Sequence, residues 1–285
     1  MSTIAGGIFT SHVPGIGQAI AKGLKQDPYW KPFFDGWHTV HDWLKREKPD
    51  VLVCFYNDHG LNFFLDKLPT FAIGAADGYR HEDEGWGISG YKPYPGMPEL
   101  SWHIIEQVVH DEFDPTMCQK MLVDHALAIP VEMAWPDEEE SWPFKLVPIA
   151  INTVQYPLPS PKRCFEFGRS VGRALESWPG DEKIVVMGTG GLSHQLEGER
   201  AGHINIEYDT FCMDNLSRDP EALLQHSSLD IAELAGSQGV EILNWIAARG
   251  AMRGSVTELS RNYHIPISNT AAATMLLENH ETVLA

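Results

Sequence analysis

Five short apolar runs, at 4–9, 51–56, 70–73, 146–151 and 184–187, are bounded by Gly, Pro or Asn and separated by stretches with a different period. A strand with one wet face alternates apolar and polar residues, so continuous apolar runs predict strands covered on both faces. Between them, segments near 30–47, 98–113, 161–177, 203–217 and 239–249 carry apolar side chains at helical spacing. In the first, Phe33, Phe34, Trp37, Val40 and Leu44 share one face. Strand and helix patterns alternating in this way predict an α/β fold, with a central mixed sheet flanked by helices on both faces. No repeat and no linker-like segment interrupts the 285 residues, so a single domain over 1–285 is expected. The stretch 74–98 is rich in Gly, Pro and aromatic residues without a clean period, which predicts a long functional loop excursion.

Charge narrows the partners. With 21 Lys and Arg against 39 Asp and Glu, the formal net charge is −18. Such a surface repels a phosphate backbone and an anionic bilayer, which argues against nucleic acid and membrane as partners. An anionic small molecule stays compatible, because the distant field is screened over about 10 Å and a few local donors can outweigh it. Cys54, Cys118, Cys164 and Cys212 are widely spaced with no C-x-x-C, the pattern of buried thiols in a reducing compartment. The N-terminal residues lack a basic segment followed by an apolar one, and no stretch approaches the roughly 18 apolar residues of a membrane span. A soluble, cytoplasmic protein is expected. The acidic run at 137–140 reads as a solvated turn.

The run at 51–56 leads straight into Asn57-Asp58-His59-Gly60, and the first run leads into Ser11-His12-Val13-Pro14-Gly15. Two histidines brought to one end of a sheet by separate strands point to a mononuclear metal site, since neutral imidazole is the commonest transition-metal ligand. His194 closes a third such segment, Gly188-Thr189-Gly190-Gly191-Leu192-Ser193-His194. This turn has neither the G-x-G-x-x-G spacing nor the Walker lysine, which argues against phosphate binding. His194 is a candidate third ligand or a general acid/base, and a loop histidine without a role is the plain alternative. Glu241 lies at the start of a helical run, where a carboxylate is ordinarily solvent-facing and favoured by the helix dipole. His125 sits beside an apolar turn and reads equally as a satisfied, partly buried histidine. Ser268 and Asn269 precede Ala271-Ala272-Ala273, where they either cap a helix or bind a substrate.

Together, Ser11-His12-Val13-Pro14, Asn57-Asp58-His59-Gly60, the Gly188–His194 turn, Glu241 and Ser268-Asn269-Thr270-Ala271-Ala272 resemble the class III (LigB-type) extradiol ring-cleavage dioxygenases. The resemblance runs in order along essentially the whole chain. It implies a non-haem Fe(II) held by His12, His59 and Glu241, with open positions for a catecholic carboxylate substrate and O2. It makes His194 the acid/base, gives His125 a part in holding the substrate, and sets Ser268 and Asn269 against the substrate carboxylate. Asp58 is a weaker candidate, as a residue supporting a ligand from behind. The implied reaction is cleavage of protocatechuate beside its diol, giving 4-carboxy-2-hydroxymuconate semialdehyde. Gallate or 3-O-methylgallate is the alternative substrate within the family. The implied partner is a small helical α subunit that lids the site, two copies of each chain forming the heteromer. Two readings from other classes stand beside this one: a non-catalytic metal-binding or signalling relative, and a zinc hydrolase built on the same ligands.

Overall fold

Each of the five apolar runs becomes a strand of one sheet in the computed structural model, which describes residues 2–86, 88, 92–136, 141–267 and 269–280. The acidic run at 137–140 and Ser268 lie outside the described residues. The strands are β1 (Thr3–Thr10), β2 (Val51–Tyr56), β3 (Phe71–Gly74), β4 (Gly78–His81), β5 (Tyr94–Pro95), β6 (Thr116–Cys118), β7 (Leu122–Val123), β8 (Lys145–Ile151), β9 (Lys183–Thr189), β10 (Val256–Ile267) and β11 (Thr270–Asn279). The helices are α1 (Pro14–Ala21), α2 (Lys31–Asp35), α3 (His38–Glu47), α4 (Pro98–His110), α5 (His125–Ala134), α6 (Pro161–Ser177), α7 (Ile206–Arg218), α8 (Ser228–Ala235) and α9 (Ile242–Ala251).

Eight strands form the main sheet in the order β10-β11-β1-β9-β2-β8-β3-β6, and β5-β4-β7 form a small second one. Strands β1, β9, β2 and β8 run parallel, so their carboxyl ends share one edge. Antiparallel pairing of β11 with β1 and of β3 with β8 makes the sheet mixed. Alternate residues of β2 face opposite layers: Val51, Val53 and Phe55 pack with Ile104, Phe167 and Trp245, whereas Leu52, Cys54 and Tyr56 pack with Ile16, Trp37 and Leu127. Helices therefore cover both faces, which is why the runs show no alternation. On one face α6 and α9 touch backbone to backbone. A Cβ at Gly168 would lie 1.9 Å from the Ala247 carbonyl oxygen.

The structure corrects four details of the pattern. The helix expected over 30–47 breaks at Gly36, where Asn262 of β10 inserts and donates from Nδ2 to the Pro32 and Phe33 carbonyls at 2.7 and 3.2 Å. The residues after Asn269 cap no helix; they form β11, paired with both β1 and β10. The apolar turn expected beside His125 is instead helix α5, with Asp124 as its N-cap. The 74–98 segment is not structureless, because it supplies β4 and β5 of the small sheet. All four cysteines are free. Among the described residues no helix is long and apolar enough to cross a membrane.

Candidate metal centre

Three adjacent parallel strands deliver the candidate histidines to one edge. His12 follows β1, His59 follows β2, and His194 follows β9, which lies between them. Crevices at the carboxyl ends of such strands are the usual ligand sites of α/β sheets.

His12 is buried, and its Nδ1 lies 3.1 Å from the Thr189 hydroxyl. Its Nε2 approaches Glu241 Oε2 at 3.4 Å. His59 places Nδ1 2.9 Å from Asp124 Oδ2 and Nε2 3.5 Å from Glu241 Oε1. Glu241 thus touches both rings. Read alone as a solvent-facing helix-start residue, it is in fact 5% exposed, in a 3-10 turn (Gly239–Glu241) that leads into α9. The glycine-rich turn explains how it gets there. A Cβ at Gly190 would come within 2.5 Å of the Glu241 Cβ, and the Gly191 N–H donates to Glu241 Oε2 at 3.0 Å. A further donor, Asn57 Nδ2, reaches Oε1 at 3.3 Å, with Asn57 itself held by Asn244.

His125 opens α5 with its ring centroid 4.3 Å from that of His59 and 5.5 Å from that of His12. One ligating atom from each of His12, His59 and His125 falls within 4.8 Å of the others. A second such group joins His59, Glu84, Asp124 and His125. Glu241 belongs to neither group, yet it contacts both His12 and His59, so carboxylate and imidazole donors converge here from two sides.

The buried carboxylates take their charge balance from the histidines. Burial disfavours charge on His59, but the hydrogen bonds to Asp124 and Glu241 outweigh it and hold the imidazole well above its ordinary range. Burial also disfavours charge on Glu241, and His12 and His59 overcome it, holding the carboxyl well below its ordinary range. Among the described residues no Lys or Arg pairs with Glu241, Asp124 or Glu84. A divalent ion could take the place of the imidazole proton between these groups, so the donor set fits a metal with nitrogen and oxygen ligands.

His194 is 8% exposed, and its backbone is clamped: its N–H donates to Ala235 O, while its carbonyl accepts from Gln238 and Gly239. Burial lowers its basicity most, and Glu241 partly offsets this, leaving the imidazole below its ordinary range. The preceding residue is tied to α7, since the Ser193 N–H and hydroxyl both donate to Asp209 Oδ1, at 2.9 and 2.8 Å. Tyr263 donates its hydroxyl to Asp209 Oδ2 at 2.6 Å. Burial pushes the Asp209 carboxyl up to about 6. The turn between β10 and β11 reaches the same place through a bridge between His194 and Thr270. Asn269, in that turn, is exposed and has a φ of 61°.

Asp58 does not support a ligand. Its carboxylate accepts the N–H groups of Gly60, Leu61, Asn62 and Phe63, so it shapes the loop after β2. The carboxylate behind His59 is Asp124. Asp124, Glu84, Asn57 and Thr189 were missed as supporting residues; Asp124 carried one signal, a helix N-cap beside a histidine.

Residues 6–273 match the protein family described as the catalytic LigB subunit of aromatic ring-opening dioxygenase. The chain belongs to that family. It is 37% identical to a gallate dioxygenase of Pseudomonas putida over 202 residues, 71% of this chain and 59% of that protein. The chain thus spans under two thirds of that relative's length. It is 26% identical to a 2,3-dihydroxyphenylpropionate/2,3-dihydroxicinnamic acid 1,2-dioxygenase of Rhodococcus globerulus, covering 81% of this chain and 86% of that protein. An uncharacterized protein of Escherichia coli K12 has the same fold, with a TM-score of 0.56, 14% identity, and 95% and 99% of the two chains covered.

Proposed function

We propose that the chain is an extradiol ring-cleaving dioxygenase acting on a di- or trihydroxylated aromatic carboxylate, with gallate the first substrate to test. The observation that carries this reading is the convergence of His12, His59 and Glu241 at one sheet edge, with His125 and His194 beside them, in a chain of the LigB family. The likeness to a gallate dioxygenase puts gallate ahead of 3-O-methylgallate and protocatechuate. These acids differ at one ring position, a distinction worth about 1–3 kcal/mol in a pocket.

His12, His59 and Glu241 would hold the metal, for which we propose Fe(II). The contacts of Glu241 with both rings favour this set over His12, His59 and His125. Bound there, the metal would supply one-electron chemistry toward O2. The chain's own residues do the rest. His194, kept neutral by burial, takes a proton from the substrate diol and later returns it. His125 holds a ring hydroxyl, and Asn269 with Ser268 meets the substrate carboxylate. The clamp on the His194 backbone keeps the acid/base in place while protons move.

A small helical partner subunit belongs to the proposal. Phe64, Leu65, Tyr156 and Leu196 lie in the loops after β2, β8 and β9, on the sheet edge that carries the histidines, and are 48–77% exposed, apolar surface a partner would cover. Full activity of the purified chain, with no second polypeptide on a denaturing gel, would remove the partner.

The deciding experiment is anaerobic Fe(II) reconstitution followed by O2 uptake with gallate, 3-O-methylgallate and protocatechuate. Stoichiometric O2 consumption with ring opening is expected. Zinc-supported turnover without O2 consumption would defeat the reading in favour of a hydrolase, and metal binding without turnover of any diol would favour a non-catalytic relative.

A further inference from the structure

Glu84 belongs to the 74–98 excursion and reaches the centre through a single residue. Its Oε2 accepts from the His125 ring at Nδ1, 2.7 Å away, and from the His125 backbone N–H at 2.9 Å. The side chains of His125 and Glu84 are 4% and 12% exposed. A carboxylate near a helix N-terminus is ordinary, but α5 already has a cap, since Asp124 Oδ1 accepts from Ala126 N at 3.0 Å. The bond to the ring is additional to capping. It also comes from a segment that is separately anchored: Trp86 carries its ring edgewise 6.3 Å from the His125 ring, and its carbonyl accepts from Gln18 of α1 at 3.0 Å.

A neutral imidazole has one N–H donor and one acceptor nitrogen, and the bond made at one nitrogen decides which is which. Asp124 does this for His59, whereas His125 has Glu84. We propose that Glu84 is a positioning residue: it fixes His125 as the Nδ1–H tautomer, so that Nε2 is always available to accept a hydrogen bond from a hydroxyl of the aromatic substrate. For the nature of that donor the proposal rests on the ring-cleavage reading; the tautomer assignment does not depend on it. The same bond gives the excursion a task, which is to bring a carboxylate to a histidine 41 positions away in sequence.

The test uses the whole chain and two variants. In metal-free protein, long-range 1H–15N correlation of the ring nitrogens should find His125 purely as the Nδ1–H form. Glu84→Gln keeps an acceptor oxygen and should preserve that form, whereas Glu84→Ala should give a mixture. Metal content after Fe(II) loading should equal wild type in both. With gallate, Glu84→Ala should raise KM about tenfold with kcat changed less than about threefold, and Glu84→Gln should recover most of the loss, in line with the 10–100-fold cost of removing such supporting partners. An unchanged tautomer in Glu84→Ala overturns the proposal, and so does loss of metal, which would make Glu84 a ligand. A wild-type protein that turns over no diol but shows the expected tautomer shift refutes the ring-cleavage reading and leaves the role of Glu84 in fixing the ring intact.

Discussion

Replacing Asp209 by Asn should flatten part of the pH dependence of stability. Asp209 is 1% exposed, and burial pushes its carboxyl from 3.8 up to about 6, against the opposing bonds from Tyr263 and Ser193. An acid whose folded pKa is raised binds more protons folded than unfolded. Stability from this group is therefore fully present below about 4, declines as pH rises through about 6, and levels off near 7. The full effect is about 3 kcal/mol at 1.36 kcal/mol per pH unit, of which about 1.3 kcal/mol falls between pH 5 and pH 7. Asparagine fits the same place, because its carbonyl can accept both Ser193 bonds and its amide can donate to the Tyr263 hydroxyl, which is able to turn. Urea unfolding of metal-free wild type and Asp209→Asn at pH 5, 6 and 7 measures the difference, in which other titrating groups cancel. The wild type should lose about 1 kcal/mol more than the variant over that range. Parallel curves would mean that Asp209 carries no raised pKa and that its burial is relieved in solution.

Replacing His12, His59 or Glu241 by Ala should abolish stoichiometric iron binding, measured by elemental analysis; iron at wild-type level in Glu241→Ala would mean that His125 supplies the third ligand. His194→Ala should keep its iron and lose at least about a hundredfold in turnover, the usual weight of a general acid/base. Because burial holds His194 below 6.5, the acid limb of kcat/KM assigned to it should lie below pH 6.5, and a limb above 7 would contradict the role. Gly168→Ala drives a methyl into the Ala247 carbonyl and should cost about 1–3 kcal/mol in urea unfolding without changing KM, which separates packing of α6 on α9 from the site.

The central strands were legible because their burial on both faces leaves an unbroken apolar signature. β10 carries no such mark: as an edge strand it keeps Glu258, Arg261 and Asn262, and its polar residues read as loop. β11 begins Thr270-Ala271-Ala272-Ala273, whose three alanines favour a helix in isolation, and pairing on both sides makes it a strand. Histidines at strand ends were visible for the same reason the strands were. Glu241 was not, since nothing local distinguishes it from a solvated helix-start carboxylate; two glycines 51 and 50 positions away, Gly190 and Gly191, make room for it. Asp124 and Glu84 meet His59 and His125 only through tertiary contacts, which carry no period along the chain.

The position of β9 has a consequence for biosynthesis. It is made after β1 and β2 but is inserted between them, so a growing chain that has exposed only His12 and His59 holds them on strands with no common neighbour. Glu241 emerges later still. The donors proposed for the metal thus come together only once β9 has closed the middle of the sheet.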